Sequence, residues 1–191
     1  MSNNIFEKMT NQLTETIDSS VALAMHNKNQ EVEMIHLLWA LLTNTNSVLN
    51  QLLNKMNVNK AAIELEAKSY ANKLPSVSSV TKENIKLSRN LLSSLQKAEG
   101  LMTSYGDKYI AVDTLLIANF DSQTLKDVLG KYIDLKEAKK ELEAMRAGNT
   151  IDSASGDENL EALGKYGIDL NKKAIDGELD PVIGRDEQIN R

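Results

Sequence analysis

Two aspartates, two histidines and a few glycine–lysine steps are the residues here whose types could do chemistry. Asp107 and Asp113 stand close together around a short predicted helix. A carboxylate pair can share general acid–base work if a pocket separates the two pKa values. At a helix start the same charges serve the helix dipole, so a capping role explains them equally well. His26 ends one apolar stripe and His36 begins the next, with no cysteine and no His-Glu-x-x-His spacing beside them. They read as cap or core-edge histidines rather than metal ligands. Gly100 and Gly106 have five residues between them but no Lys-Ser/Thr follows, and Gly164-Lys165 runs into Tyr166. Neither matches a loop that cradles phosphates with backbone N–H groups, so this chain is not expected to be an enzyme by itself.

The elements that must position these residues are helical. Hydrophobic residues make up 41% of the 191 and charged residues 26%, as in ordinary globular proteins. Aromatics are only 4%, so aliphatic side chains must fill the core. The two prolines, Pro75 and Pro181, leave a long stretch between them free of helix breakers. A net charge of −5 without a basic stripe argues against a nucleic-acid partner. The N-terminus lacks a basic region followed by an apolar one, and the longest apolar run, Ile35 to Leu42, is too short to span a bilayer. The expectation is a cytoplasmic protein with no membrane partner.

Phe6, Met9, Leu13, Ile17, Val21 and Ala24 recur at helical spacing over residues 4–27. Residues 33–43 are apolar nearly all round, which places that helix, with Trp39, in a core. Residues 47–56 form a third helix, and Asn59 can cap a fourth. After Leu74-Pro75-Ser76 the order repeats with helices over 81–104, 112–120, 123–131 and 134–147. At an offset of about 78 residues Leu13 meets Leu91, Ile17 meets Leu95, Val32 meets Ile110 and Ala40 meets Ala118. Further on, Leu53 meets Leu129 after a two-residue slip. The fold expected is all-α, with eight helices in a double four-helix repeat. One quartet spans 4–74 and the other 80–147, packed around one core with a groove at their seam. Thr10 falls inside the first helix, and Leu95 and Leu101 fall on a core stripe. Residues 148–158 are small and polar and read as a flexible linker. Residues 159–191 do not belong to the first domain.

The repeated eight-helix order resembles the Clp N-terminal domain. The tail resembles the start of a first AAA+ module in the Hsp100 family, through Leu163-Gly164-Lys165-Tyr166-Gly167-Ile168-Asp169-Leu170 and Leu179-Asp180-Pro181-Val182-Ile183-Gly184-Arg185-Asp186. Lys165 to Leu170 and Met145-Arg146-Ala147-Gly148 are similar to ClpB-type disaggregases. The resemblance implies a client-binding domain (1–147), a linker (148–158) and an AAA+ module (159–191) cut short at Arg191. It implies capture of unfolded or aggregated protein for threading through a homo-hexameric pore, with an Hsp70 system as partner. ATP and magnesium would serve the full-length protein, and the fragment is expected to hold no cofactor and to be monomeric. Carried over by the same resemblance, Thr10, Asp107 and Asp113 would serve client binding. Leu95, Leu101 and Thr114 would line the groove. Val182, Ile183, Gly184 and Arg185 would lie beside an adenine. The alternative is an adaptor-docking or scaffolding domain, as in protease-linked relatives.

Overall fold

Each half of the chain opens its long helix on a hydroxyl side chain. Thr10 Oγ1 accepts the Leu13 N–H at 3.2 Å and Ser88 Oγ accepts the Leu91 N–H at 3.0 Å. Each occupies one of the first-turn donors that a helix leaves without an internal partner. The computed structural model describes residues 3–146 and 149–156. All of these fall in the first of two units, Met1–Asn159. The second unit, Leu160–Arg191, and with it Val182, Ile183, Gly184 and Arg185, lies outside the described residues.

The element order is a 3-10 turn (Asn3–Lys8), α1 (Asn11–His26), β1 (Glu31–Val32), α2 (Met34–Thr43), α3 (Val48–Met56) and α4 (Lys60–Asn72), then β2 (Lys86–Leu87), α5 (Arg89–Tyr105), α6 (Val112–Ala118), α7 (Gln123–Val128) and α8 (Leu135–Arg146). The eight expected helices are therefore present, in two quartets. Both long helices begin later than their apolar spacing predicts, for one reason. Phe6 and Met9, like Ile85 and Leu87, continue the stripe, but Thr10 and Ser88 cap behind them. Thr10 thus stands ahead of α1, fully buried, rather than within a helix. Asn59 caps α4 as expected, its side chain accepting the Ala62 N–H at 3.1 Å. Trp39 is half-buried rather than a core residue, because α2 turns that flank outward.

Duplication shows in the hydrogen bonding. Val32 pairs with Leu87 in a two-stranded parallel ladder, and Met9 bridges Ile110 in the same sense. Ser88 N–H donates to the Val32 carbonyl at 3.0 Å, and Thr10 N–H donates to the Ile110 carbonyl at 3.0 Å. Each half thus lends its cap residue to the other. The offset of about 78 residues holds through the starts of α2 and α6, then falls to about 75 at the caps Ser47 and Ser122, one residue more than the two-residue slip read from the sequence.

Within each half the first two helices pack together, α1 on α2 and α5 on α6. Across the halves α2 meets α5, α3 meets α6 and α8, and α4 meets α7. On the helices that meet there, Leu37, Leu38, Leu49, Leu52, Ile63, Leu91 and Leu95 are all fully buried. The seam is therefore filled by side chains, where the sequence suggested an open groove.

Candidate functional site

Two equivalent corners hold most of the buried polar groups among the described residues. The first is the loop from α1 into the first turn of α2, residues 27–36, with Lys28 at φ 60°. The second is the loop from α5 to α6, residues 105–114, which opens with Gly106 at φ 78°.

At the first corner the Glu33 N–H donates to His36 Nδ1 at 2.8 Å. The ring proton therefore sits on Nε2, which faces Asn29 Oδ1 at 3.0 Å. Asn29 Nδ2 donates in turn to the Pro75 carbonyl at 3.2 Å. Ser88 Oγ, while capping α5, donates to Glu33 Oε1 at 2.8 Å. Burial pushes the His36 pKa down to about 4, so the ring is neutral at ordinary pH. Burial also raises the Glu33 carboxyl, against the bond from Ser88 and with a push from Glu31. His36 is thus a buried capping histidine, as its sequence context suggested.

At the second corner the corresponding groups are ionic. Asp107 stands where Asn29 stands, and Thr114 where His36 stands. Arg146, the last residue of α8, inserts between them. Its Nη2 donates to Asp107 Oδ1 at 2.8 Å and Oδ2 at 2.7 Å, and its Nη1 to Thr114 Oγ1 at 3.2 Å. Asp113 Oδ1 lies 3.4 Å from Nη1, a longer contact. The guanidinium carbon sits 4.5 Å from the Tyr105 ring centroid, a cation–π distance. The Arg146, Asp107 and Asp113 side chains are 6%, 0% and 1% exposed. Burial raises the Asp113 carboxyl, and the Arg146 charge opposes that rise. Sequence reading missed Arg146 because it lies far along the chain in a helix dominated by alternating charges. Its place at the last helical turn, just before a small polar stretch, was the available signal.

The structure therefore gathers Thr10, Asp107, Asp113 and Thr114 at one corner, all buried and engaged inside the domain. Leu95 is a core residue of α5 and fully buried. Leu101 is half-buried on α5 and retains some open surface. Side chains sealed this way offer little to an outside polypeptide, so the resemblance-derived groove is closed at Leu95 and Thr114. Apolar surface is open elsewhere. Phe6 is 44% exposed, Leu92 36%, Leu65 67% and Tyr132 37%. Leu92 lies two turns from Glu99 on one flank of α5, and Lys8 bonds Glu99 at 2.8 Å. Phe6 lies in the 3-10 turn (Asn3–Lys8), which packs against α5. Leu65 and Tyr132 lie at the other junction, where Lys131 bonds Glu66 at 2.8 Å.

Beside the second corner, Glu7, Lys8, Lys108, Tyr109 and Asp152 line a crevice of about 340 Å³. Its two lysines are balanced by two carboxylates, so it presents no net charge to select an ion. Among the described residues no group of three or more His, Cys, Asp or Glu could hold a metal ion, and no helix is long and apolar enough to cross a membrane.

Comparison with known proteins agrees with this architecture. The family model of the Clp repeat (R) N-terminal domain matches residues 8–132. The chaperone protein ClpB of Wolinella succinogenes is 57% identical over 188 residues, covering 98% of this chain and 22% of the relative. The chain thus spans about a fifth of that curated relative's length. The Hsp104 N-terminal domain from Candida albicans superposes with a TM-score of 0.71 at 23% identity, over 78% of this chain and 99% of that one. A ClpV N-domain solved in complex with a VipB peptide gives 0.58 at 20% identity, over 78% and 93%. With its paired quartets and cross-lent caps, the chain belongs to the Clp N-terminal domain family.

Proposed function

We propose that this chain is the client-contacting domain of an ATP-driven disaggregase of the ClpB type. The remainder of that protein would supply the hexameric ATPase, with ATP and magnesium, and would work with an Hsp70 system. The observation that carries the proposal is the exposure of Phe6 and Leu92, two large apolar side chains left in water while most other large apolar side chains among the described residues are buried. Similarity to ClpB over nearly the whole chain supports the disaggregase context. Burying such a side chain contributes about 1.5–3 kcal/mol. Ordering a loose polypeptide cancels much of that, so two anchors support affinity of about micromolar or weaker. Weak capture suits a client that must be passed on.

Fluorescence anisotropy with a permanently unfolded, carboxymethylated protein tests the reading. The Phe6→Asp/Leu92→Asp variant is expected to bind at least about fivefold more weakly than the unmodified chain. Unchanged binding, or none at high concentration in either form, sinks the proposal. Adaptor docking is the second reading, favoured by Leu65, the most exposed large apolar side chain among the described residues. It predicts instead that Leu65→Asp abolishes binding to a single folded partner and spares the unfolded protein.

A further inference from the structure

The small polar stretch after α8 is bound to the domain in the way a peptide ligand would be. The Ile151 N–H donates to Asp107 Oδ1 at 2.9 Å. The Ile151 carbonyl accepts from the Lys108 N–H at 2.8 Å, and the Ala154 carbonyl accepts from the Asn11 N–H at 2.7 Å. That last donor is the first N–H of α1, which has no partner within its helix. Ile151 itself is 5% exposed. The chain then turns over it, with the Gly156 N–H donating to the Ser153 carbonyl at 3.0 Å. Arg146 closes the upstream side, donating to the Asn149 carbonyl at 3.1 Å while it holds Asp107. Residues 149–156 were expected to be free linker, and they are instead docked.

The first corner has a counterpart. There the Val77 N–H donates to the Lys28 carbonyl at 2.9 Å and Asn29 holds the Pro75 carbonyl. That segment lies in the chain between α4 and β2. The second segment is held by a single buried side chain, Ile151, with Asn149, Thr150, Asp152, Ser153 and Ser155 exposed.

We propose that residues 149–154 form a releasable strap, and that the notch formed by Asp107, Lys108 and the start of α1 is an extended-peptide site occupied by this chain's own segment. The strap leaves as a unit while the eight helices stay folded. Its release frees six residues, about 20 Å of extended chain.

Amide hydrogen exchange on the full chain reads this directly. In the unmodified chain the Asn11, Lys108 and Ile151 amides are expected to share one protection, exchanging at least about tenfold more slowly than unstructured amides and faster than core amides such as Leu38. Ile151→Asp is expected to remove that protection at all three and leave the core unchanged. Gly156→Val is a milder test that touches no helix, because a Cβ at Gly156 would meet Ile151 Cγ2 at 2.8 Å. It is expected to lower the three protections together by severalfold. The chain has no cysteine, so spin labels at Ser93→Cys and Ser155→Cys add a distance readout. One narrow distance is expected, broadening when Ile151→Asp is added. Unprotected amides in the unmodified chain overturn the proposal, as does loss of core protection in step with the three amides in both variants.

Discussion

The two corners share a backbone and differ in chemistry. Each begins with a left-handed residue, borrows a cap from the other half and is crossed by a strap of chain. One is wired through neutral groups, Asn29, His36 and the Pro75 carbonyl, with Glu33 and Ser88 at its edge. The other is wired through Arg146, Asp107 and Asp113. The lesson is that a duplicated fold conserves where polar groups must be satisfied, and leaves open how. A neutral relay loses a few hydrogen bonds when disturbed. An ionic cluster leaves a buried charge behind. The comparison therefore breaks first where a charge is removed.

Arg146→Ala should give the largest effect. It leaves Asp107 and Asp113 buried without their cation, and removing one partner of a buried pair costs about 3–5 kcal/mol. Urea unfolding should show the midpoint falling at constant slope. The corresponding disruption of the first corner, Ser88→Ala, loses a cap and a bond to Glu33, at a cost of about 1–2 kcal/mol. Equal losses at the two corners would show that the ion cluster adds nothing beyond ordinary capping.

Acid should set His36 against the buried carboxyls in sign. His36 has a folded pKa of about 4 against an ordinary 6.5. Between those values the unfolded chain binds a proton that the folded chain refuses. His36 thus contributes nothing adverse above pH 6.5, and stability is lost as pH falls from 6.5 toward 4. The full loss is about 3 kcal/mol at about 1.4 kcal/mol per unit. Protonation puts a second donor on Nδ1, facing the Glu33 N–H that now donates to it. Asp113 acts the other way. Its raised pKa makes the folded state take up a proton more readily, favouring the fold as pH falls through that pKa. Glu33, also raised, behaves like Asp113. The His36 contribution is isolated by comparing the unmodified chain with His36→Gln in urea melts at several pH values. The stability gap should move by about 3 kcal/mol in favour of the variant between pH 7 and pH 4. A gap that stays flat would show that His36 titrates normally.

Much of the fold was legible because helical spacing is a local signal. Residues 33–43 and 47–56, and the Asn59 cap, match α2, α3 and α4 closely. The starts of α1 and α5 were not, since apolar spacing runs on through Met9 and Leu87 and only tertiary contact with the other half selects Thr10 and Ser88 as caps. The site was less legible than the fold. Asp107 and Asp113 stood out as an acidic pair, but their partner Arg146 is distant in sequence, and no local pattern joins them. Small polar residues read as linker because nothing in their composition shows that Ile151 finds a buried place. Leu95 was placed in the groove by resemblance alone, while its position on the α5 stripe pointed to the core, where it lies; a stripe cannot say which apolar side chains a second quartet leaves open.

The smallest expected effect concerns the residue that opens each corner, and it asks whether the two backbones are equivalent in energy as well as shape. Lys28 holds φ 60° and Gly106 φ 78°. A residue with a Cβ pays about 1–2 kcal/mol in that left-handed region, and glycine does not. Glycine in turn loses more freedom on folding, by roughly 0.5–1 kcal/mol. The conformation is fixed at Lys28 because its N–H donates to the Met25 carbonyl while its own carbonyl accepts from Val77. Its side chain is exposed, so little packing is lost when it is removed. Lys28→Gly should therefore stabilise the domain by about 0.5–1 kcal/mol. Gly106→Ala, where a Cβ would meet nothing within 4 Å, should destabilise it by a similar amount through conformation alone. Thermal melts at fixed pH would show the two shifts as opposite and nearly equal. A Lys28→Gly variant that lowers the melting temperature would mean that the first corner has adapted to its lysine, and that the two loops resemble each other in outline only.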